Sequence, residues 1–452
     1  MKNPFNEKLS IQERLQEQYM TCRKKGYKYV GIYIITSPQL VIIDPELIKS
    51  VLSKDFSHFM DRGMYHNEND PLSMHLFSLD ASKWKKLRPK LTPTFTSGKM
   101  KMMFNMVVTC GRQLGTSMEE ICVKGPVDIK HTLECYTMDV IGSCAFGIDC
   151  NSFTDPFSDF CKYSKKIFQL SRIKRLRALI INIFPYLGKT LRVKLMPRDV
   201  TEFFLNIVTH SVKHRRENGI VRNDFLQVLM ERVDNNKDTD SISFSEMVAQ
   251  VYVFFIAGFE TSSATMSFCL MELCLNPEVQ EKLREEVNLI LNKHNGTITY
   301  ESLKEMTYMN AVINETLRKY PPVPVLNRRC IQDYHLHNSD IIIRKGIKIT
   351  IPLIALHNDP EYFPNPEKFD PNRFSVENKH LITPFTYMPF GDGPRACIGI
   401  RFGIMQTKIG LVTLLSDYKF SLSENMKIPI KFNLHSVTAA VEGGVWLNAT
   451  KI

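Results

Sequence analysis

The stretch from Ser243 to Leu275 restricts most strongly how this 452-residue chain can fold. Ser243-Phe-Ser-Glu246 is a capping box, in which each end of the motif satisfies a backbone N–H of the other. From Met247 to Leu275 the helix it opens is apolar nearly all round, and such a helix has to be central and buried. Asn276-Pro277 ends it. The remaining chain must therefore supply the walls. At 452 residues it could form two or three ordinary domains or one large one. Its 44% hydrophobic and 23% charged residues suit a globular chain with a large core.

Inside that helix stands Ala257-Gly258-Phe259-Glu260-Thr261-Ser262. Gly258 weakens a helix by about 1 kcal/mol relative to Ala. Thr261 can bond back to a carbonyl and bend the helix. Glu260 is costly in an apolar run unless it is paired or reaches water. Taken alone, the motif reads as a helix break with a satisfied polar side chain.

A second motif, 390–399, reads Phe-Gly-Asp-Gly-Pro-Arg-Ala-Cys-Ile-Gly. Cys397 precedes a predicted helix (Ile400–Leu415), where the first-turn N–H groups and the dipole favour thiolate. Gly391, Gly393 and Gly399 allow tight backbone approach, Pro394 stiffens the loop, and Phe390 gives a flat apolar wall. Arg395 should point to the same side as Cys397 and could meet an anion there. A thiolate, an apolar wall and a cation suit haem iron, with sulfur as fifth ligand and cations for the propionates. The plainer alternative is a buried free cysteine in a Gly-rich turn.

The rest of the chain is read more coarsely. Tyr29–Ile35 and Gln39–Ile43 form a hairpin about Thr36-Ser37-Pro38. Asp44-Pro45 starts a helix through Lys54. Residues 55–82 are irregular and long enough to be a functional loop. Ser82–Lys90 is a helix with Trp84 and Arg88 one turn apart. Met138–Gly147 is apolar enough for a buried helix, and another helix covers Val279–Lys293. Residues 172–195 mix basic and apolar residues in a way that suits either shallow membrane contact or a plain basic loop. Asp234–Asp240 reads as an internal linker. Short strands are expected at Ile341–Ile343, Ile347–Ile351 and Val445–Leu447. The expectation is one mainly α domain over residues 1–452, a large helical body with small β-sheets at its edge.

Net charge +11 points to acidic partners or anionic membrane surfaces. Nucleic acid ranks low, since zinc-finger spacing and RNP-like segments are missing. Eleven cysteines, odd in number and without a Cys-x-x-Cys pair, indicate a reducing compartment. No N-terminal run of about 18 or more apolar residues is found.

Phe390, Gly393, Arg395, Cys397 and Gly399 match the haem-binding loop of the cytochromes P-450, which the chain resembles from about Gly31 to its C-terminus. The resemblance implies the P-450 fold and a haem cofactor ligated by Cys397, with Phe390, Gly399 and Ala257 against it. It implies propionate contacts from Trp84, Arg88, Arg328 and Arg395. Ala257-Gly-Phe-Glu-Thr261 resembles the family's central-helix signature, in which Thr261 assists bound dioxygen and Glu260 relays protons from solvent. Glu315, Arg318 and Arg373 resemble a buried structural triad that fixes the cysteine loop. A helical Glu-x-x-Arg pair would otherwise be an exposed ion pair of about 0–1 kcal/mol.

The resemblance narrows to the microsomal insect branch on Lys85–Met100, Asp139–Phe146 and the 216–225 region. That branch begins with a membrane anchor and Pro-rich hinge, so the sequence is expected to be truncated. The implied activity is haem-thiolate monooxygenation: one atom of O2 enters a lipophilic substrate, a plant toxin, an insecticide-like xenobiotic or an endogenous lipid. Electrons come from an NADPH-dependent flavoprotein reductase, at the cytoplasmic face of the endoplasmic reticulum membrane. Substrate walls are expected from the 65–80 loop, Phe254, Phe255, Val323, Leu326 and Val437. Three rivals stand beside this: an oxygen-independent isomerase or dehydratase on the same fold, a non-enzymatic haem-binding protein, and a chain inactivated by truncation. The Glu260-Thr261 pair argues against the first.

Overall fold

The computed structural model describes residues 9–452 except 35–36, 169–176, 178–179, 182–187, 189, 235–240, 337–338, 435 and 437. Most of the basic 172–195 segment, nearly all of the expected 234–240 linker, and Val437 therefore lie outside the described residues.

The chain opens with α1 (Ile11–Lys24), β1 (Tyr29–Ile34), β2 (Ser37–Ile42) and α2 (Pro45–Lys49). After irregular chain come α3 (Ala81–Leu91), α4 (Ser97–Cys122), β3 (Val127–Asp128) and α5 (Ile129–Ile141). Next are α6 (Asp159–Phe168), α7 (Arg198–Glu217), α8 (Phe225–Asp234), α9 (Phe244–Leu275) and α10 (Pro277–Lys293). The remainder is α11 (Tyr300–Glu305), α12 (Thr307–Lys319), β4 (Leu326–Arg329), β5 (Tyr334–His335), β6 (Ile342–Ile343), β7 (Lys348–Ile351) and α13 (Leu353–Leu356). It closes with α14 (Ile400–Asp417), β8 (Tyr418–Leu422) and β9 (Trp446–Lys451). Helices predominate among the described residues.

Helix α9 starts at the expected capping box. Glu246 N–H donates to Ser243 Oγ at 3.2 Å, and Ser243 N–H donates to Glu246 Oε2 at 2.8 Å. By length and composition α9 could cross a membrane, but 67% of its most apolar window is buried inside the fold, the signature of a core helix. Helices α5, α8, α12 and α14 pack against it in the larger of two hydrophobic clusters. Gly258 has its reason here. A Cβ at that position would lie 2.5 Å from Ile141 Cδ1, so glycine lets α5 approach α9 closely. The sequence pointed instead to a weakened helix, yet α9 runs unbroken through Gly258.

The smaller cluster lies under a four-stranded sheet of order β1-β2-β7-β4, with β2 and β7 parallel and the other pairs antiparallel. Strand β2 takes in Ser37 and Pro38, which the sequence assigned to the turn, and Pro38 faces Tyr33 in the register. A second sheet, β3-β9-β8, and a pair, β5-β6, complete the β structure. Helix α5 continues past Ile141 as a wider turn through Phe146, all of it buried. This is the expected apolar helix around Met138–Gly147. The 65–80 loop is pinned to α9 by Leu76 N–H donating to Gln250 Oε1 at 2.9 Å.

Candidate active site

The 390–399 loop is fixed by its own backbone and by its neighbours. Cys397 N–H donates to Phe390 O at 2.9 Å, and Ala396 N–H to Gly393 O at 2.9 Å. Gly391 and Gly393 have φ of +72° and +71°, a region that disfavours side chains. At Gly393 a Cβ would also meet Leu52 O at 1.8 Å. Ser53 Oγ donates to Asp392 Oδ1 at 2.9 Å, tying the loop to the turn after α2.

Just upstream, Met388 N–H donates to His357 Nε2 at 3.0 Å. That nitrogen must be unprotonated, and burial, aided by the Arg318 charge, pushes His357 down to about 3. Arg318 in turn donates to His357 O at 2.9 Å and grips fully buried Glu315 with two bonds of 2.7 and 2.9 Å. Arg373 Nε stands 3.5 Å from Glu315 Oε1, which also accepts from Asp370 N–H at 2.9 Å. Glu315, Arg318 and Arg373 thus come together beneath the support of the cysteine loop. Bidentate pairing of this kind fixes geometry as well as adding energy.

Around Cys397 the protein gathers cations. Arg395 and Arg328 are 1% and 2% exposed, and among the described residues no carboxylate forms an ion pair with them. Arg395 lies over the Trp84 ring at 4.5 Å and donates to Leu79 O at 2.8 Å, while its Nε and Nη1 have no partner. Arg328 donates to Asn327 O, and its Nε is likewise unmatched. Arg88 donates to Ala396 O at 3.1 Å, and Arg62 donates to Arg395 O at 2.8 Å. Burial first, then mutual repulsion, lowers Arg62 to about 9, Arg328 to about 10 and Arg395 to about 9. The nearby carboxylates are engaged elsewhere: Asp61 with Arg329 and the Ala81 N–H, Asp80 as the N-cap of α3.

Four crowded guanidiniums, two of them buried with unmatched donors (Arg328 and Arg395), fit a ligand bearing two negative charges, and Trp84 gives the group an aromatic floor. Cys397 retains exposed surface although protein crowds it, which leaves its sulfur open to a ligand. The helix-terminus argument for thiolate is corrected among the protein groups alone. Burial pushes the thiol up and outweighs the Gly399 N–H, Arg62 and Arg88, which pull it down. A metal coordinated by the sulfur would reverse that balance. Among the described residues no cluster of three or more His, Cys, Asp or Glu could hold a metal. Cys397 could therefore serve one only beside ligands brought by a cofactor.

Helix α9 packs against α14, the helix that Cys397 precedes. In the middle of α9 Ala257 is exposed and Val253, Phe254, Ile256, Gly258 and Thr261 are half-buried, with Phe254, Ala257 and Thr261 spaced to share one helical face. Thr261 Oγ1 donates to Ala257 O at 2.5 Å. Glu260, 8% exposed, turns toward α5, where Lys130 Nζ lies 3.2 Å away, and accepts from Thr438 at 3.3 Å. Gln406, on the helix that Cys397 precedes, donates to Gly258 O at 2.9 Å. The cysteine loop and the Glu-Thr segment are therefore carried by helices in contact.

The family model for Cytochrome P450 matches residues 5–445. The chain belongs to the cytochrome P450 family. It is 42% identical to cytochrome P450 6a2 of Drosophila melanogaster, over 99% of this chain and 91% of that protein. It is 40% identical to cytochrome P450 6k1 and 42% identical to cytochrome P450 6j1, both of Blattella germanica, in each case over 94% of this chain and 84% of the relative. It groups with insect members and is a P450 monooxygenase whose cofactor is haem with a cysteine thiolate ligand. P450 enzymes generally draw on a redox partner, O2 and a lipophilic substrate.

Sequence reasoning about this P450 missed Arg62 and His75. Arg62 sat in a stretch read as irregular, and only the fold carries it to Arg395, 333 residues away. His75 is pushed down to about 4, by burial first and also by Arg62. No spacing marks either. The substrate-wall expectations need one correction. Phe255 is fully buried among Phe146, Phe160, Phe204 and Phe259, with ring centroids 5.4–6.0 Å away, and belongs to the core. Phe254 is half-buried, against Phe225 at 3.9 Å and Phe95 at 5.0 Å. Leu326 is half-buried near Gly391, and Val323 is 38% exposed.

Proposed function

We propose that this P450 holds its haem through the Cys397 sulfur, with the propionates bound by Arg62, Arg88, Arg328 and Arg395 above Trp84. The observation that carries this is the set of mutually repelling guanidiniums near Cys397, of which Arg328 and Arg395 are buried with unmatched donors. When bound, the haem supplies oxygen activation assisted by electron donation from sulfur. Phe390 walls the sulfur, and the short span from Cys397 to α14 aims backbone N–H groups at it. The Glu315–Arg318–Arg373 set holds the loop rigid and takes no part in chemistry.

On the opposite wall, Ala257 leaves room beside the α9 backbone, Thr261 offers a hydroxyl, and Glu260 passes protons toward it. The Thr261 hydroxyl, now bonded to Ala257 O, is free to turn to a reacting oxygen because that carbonyl keeps its helical partner. Protons must arrive in step with electrons if one oxygen atom is to leave as water.

The substrate is a lipophilic small molecule, and apolar Phe254, Leu326 and Val323 are its walls. A plant toxin or insecticide-like xenobiotic fits the insect relatives. Electrons come from an NADPH-dependent flavoprotein reductase, drawn by exposed Lys85 and Lys86 of α3 and Arg401 of α14. The enzyme works at the cytoplasmic face of the endoplasmic reticulum, on a membrane surface its positive charge favours. The deciding experiment is the reduced carbon monoxide difference spectrum of wild type and Cys397→Ala. The thiolate-type band should be present in the first and lost in the second. An unchanged band in the variant refutes the ligand assignment.

A further inference from the structure

Glu260 does not stand alone in the apolar wall of α9. Lys130 Nζ, from α5, is 3.2 Å from Glu260 Oε1, 3.1 Å from Glu134 Oε1 and 2.9 Å from Ser263 Oγ. Glu134 Oε2 is in turn 3.9 Å from His131 Nδ1. Side-chain exposure rises steadily along this line: 10% at Glu260, 16% at Lys130, 23% at Glu134 and 48% at His131. Burial works upward on the Glu134 carboxyl, but neighbouring His131 and the Lys130 charge win and hold it below its ordinary value. From the other side Thr438 donates to Glu260, and Ser262, two residues further along α9, is taken by Gln406 of α14.

We propose that Lys130 is the positioning residue for Glu260, and that His131, Glu134 and Lys130 form the route by which Glu260 draws protons from solvent. The proposal rests on the reading of Glu260 as the proton-passing acid. His131, recharged from water, protonates the ionised Glu134 carboxylate, which hands that proton to Lys130 Nζ as Nζ gives one of its own to Glu260. The net result is one solvent proton moved inward, with no electron transferred. The geometry favours this over a merely structural pair because the line ends at an exposed imidazole and not in the core. Lys130 also leaves Glu260 one oxygen, Oε2, outside its grip.

The test compares Lys130→Met, Lys130→Arg and Glu134→Gln with Glu260→Gln in the haem-loaded full chain. Lys130→Met and Glu134→Gln should lower product formed per NADPH several-fold and raise the solvent deuterium isotope effect. They should also steepen the loss of coupling as pH rises, with substrate binding unchanged. Lys130→Arg should restore all three. Independently of turnover, the thermal unfolding losses of Lys130→Met and Glu260→Gln should be non-additive. If Glu260→Gln uncouples while Lys130→Met behaves as wild type, the proposal falls and the role of Glu260 survives. If Glu260→Gln is itself fully coupled, both fall.

Discussion

The α-hydrogen side of Gly393 faces Leu52 O so closely that a Cβ built there would lie 1.8 Å from that oxygen. Backbone meets backbone, and neither side can swing away. Gly393→Ala would add strain at φ +71° of about 1–3 kcal/mol to that collision. The variant should have a lower urea midpoint and retain little haem. A wild-type midpoint with full haem content would show that the loop can shift at no penalty.

His357 makes stability fall in acid. Its folded-state value, about 3, lies below the unfolded value of roughly 6.5. Below about pH 6.5 the unfolded chain takes up a proton that the folded chain refuses. Stability is therefore intact above that pH and is lost as pH falls toward 3, at a slope approaching about 1.4 kcal/mol per pH unit. His357→Gln, which keeps an acceptor for Met388 N–H, should flatten this part of the curve. Urea midpoints at pH 7, 6 and 5 check it.

Arg62 carries a charge that nothing in the sequence marked. Loss of one charge-assisted hydrogen bond is worth about 1.5–3 kcal/mol. Arg62→Ala should therefore release haem to an acceptor protein roughly 10- to 100-fold faster. The apoprotein should be no less stable, since the remaining guanidiniums repel one fewer neighbour. Equal haem release rates would remove Arg62 from the propionate set.

Thr261→Ala should leave the fold intact. Among the described residues its hydroxyl bonds to the Ala257 carbonyl alone, and alanine is the better helix former by about 0.5 kcal/mol. Reducing equivalents should instead drain into peroxide, and Thr261→Ser should recover most coupling. Product and peroxide measured per NADPH consumed decide this. Unaltered coupling in the alanine variant would strip Thr261 of its role.

Much of the architecture was legible because its signals are local. The Ser243–Glu246 box and the all-round apolarity after it determine where α9 begins and why it is buried. The Gly-rich loop around Cys397 and the Glu315–Arg318 spacing need only a few residues each. What escaped was set by tertiary approach. Arg62 meets Arg395 only through folding, and Phe254 and Phe255 differ by a rotation of about 100° on α9, which sends one into the core and leaves the other half-buried. Gly258 looked like a weak point in a helix until Ile141 of α5 was found against it. The thiol of Cys397 follows desolvation more than the helix terminus, and desolvation is a property of everything around it.

The guanidiniums of Arg62 and Arg395 come from opposite ends of the polypeptide. During synthesis they cannot meet until the ribosome has released nearly all of the chain. On the proposed propionate assignment the porphyrin until then has only part of its berth, and afterwards the crowded positive charge opposes closure unless a dianion arrives. A ligand that binds only the closed form raises its population by mass action. Porphyrin supply thus becomes a control on how much finished enzyme a cell can accumulate, whatever the rate of translation.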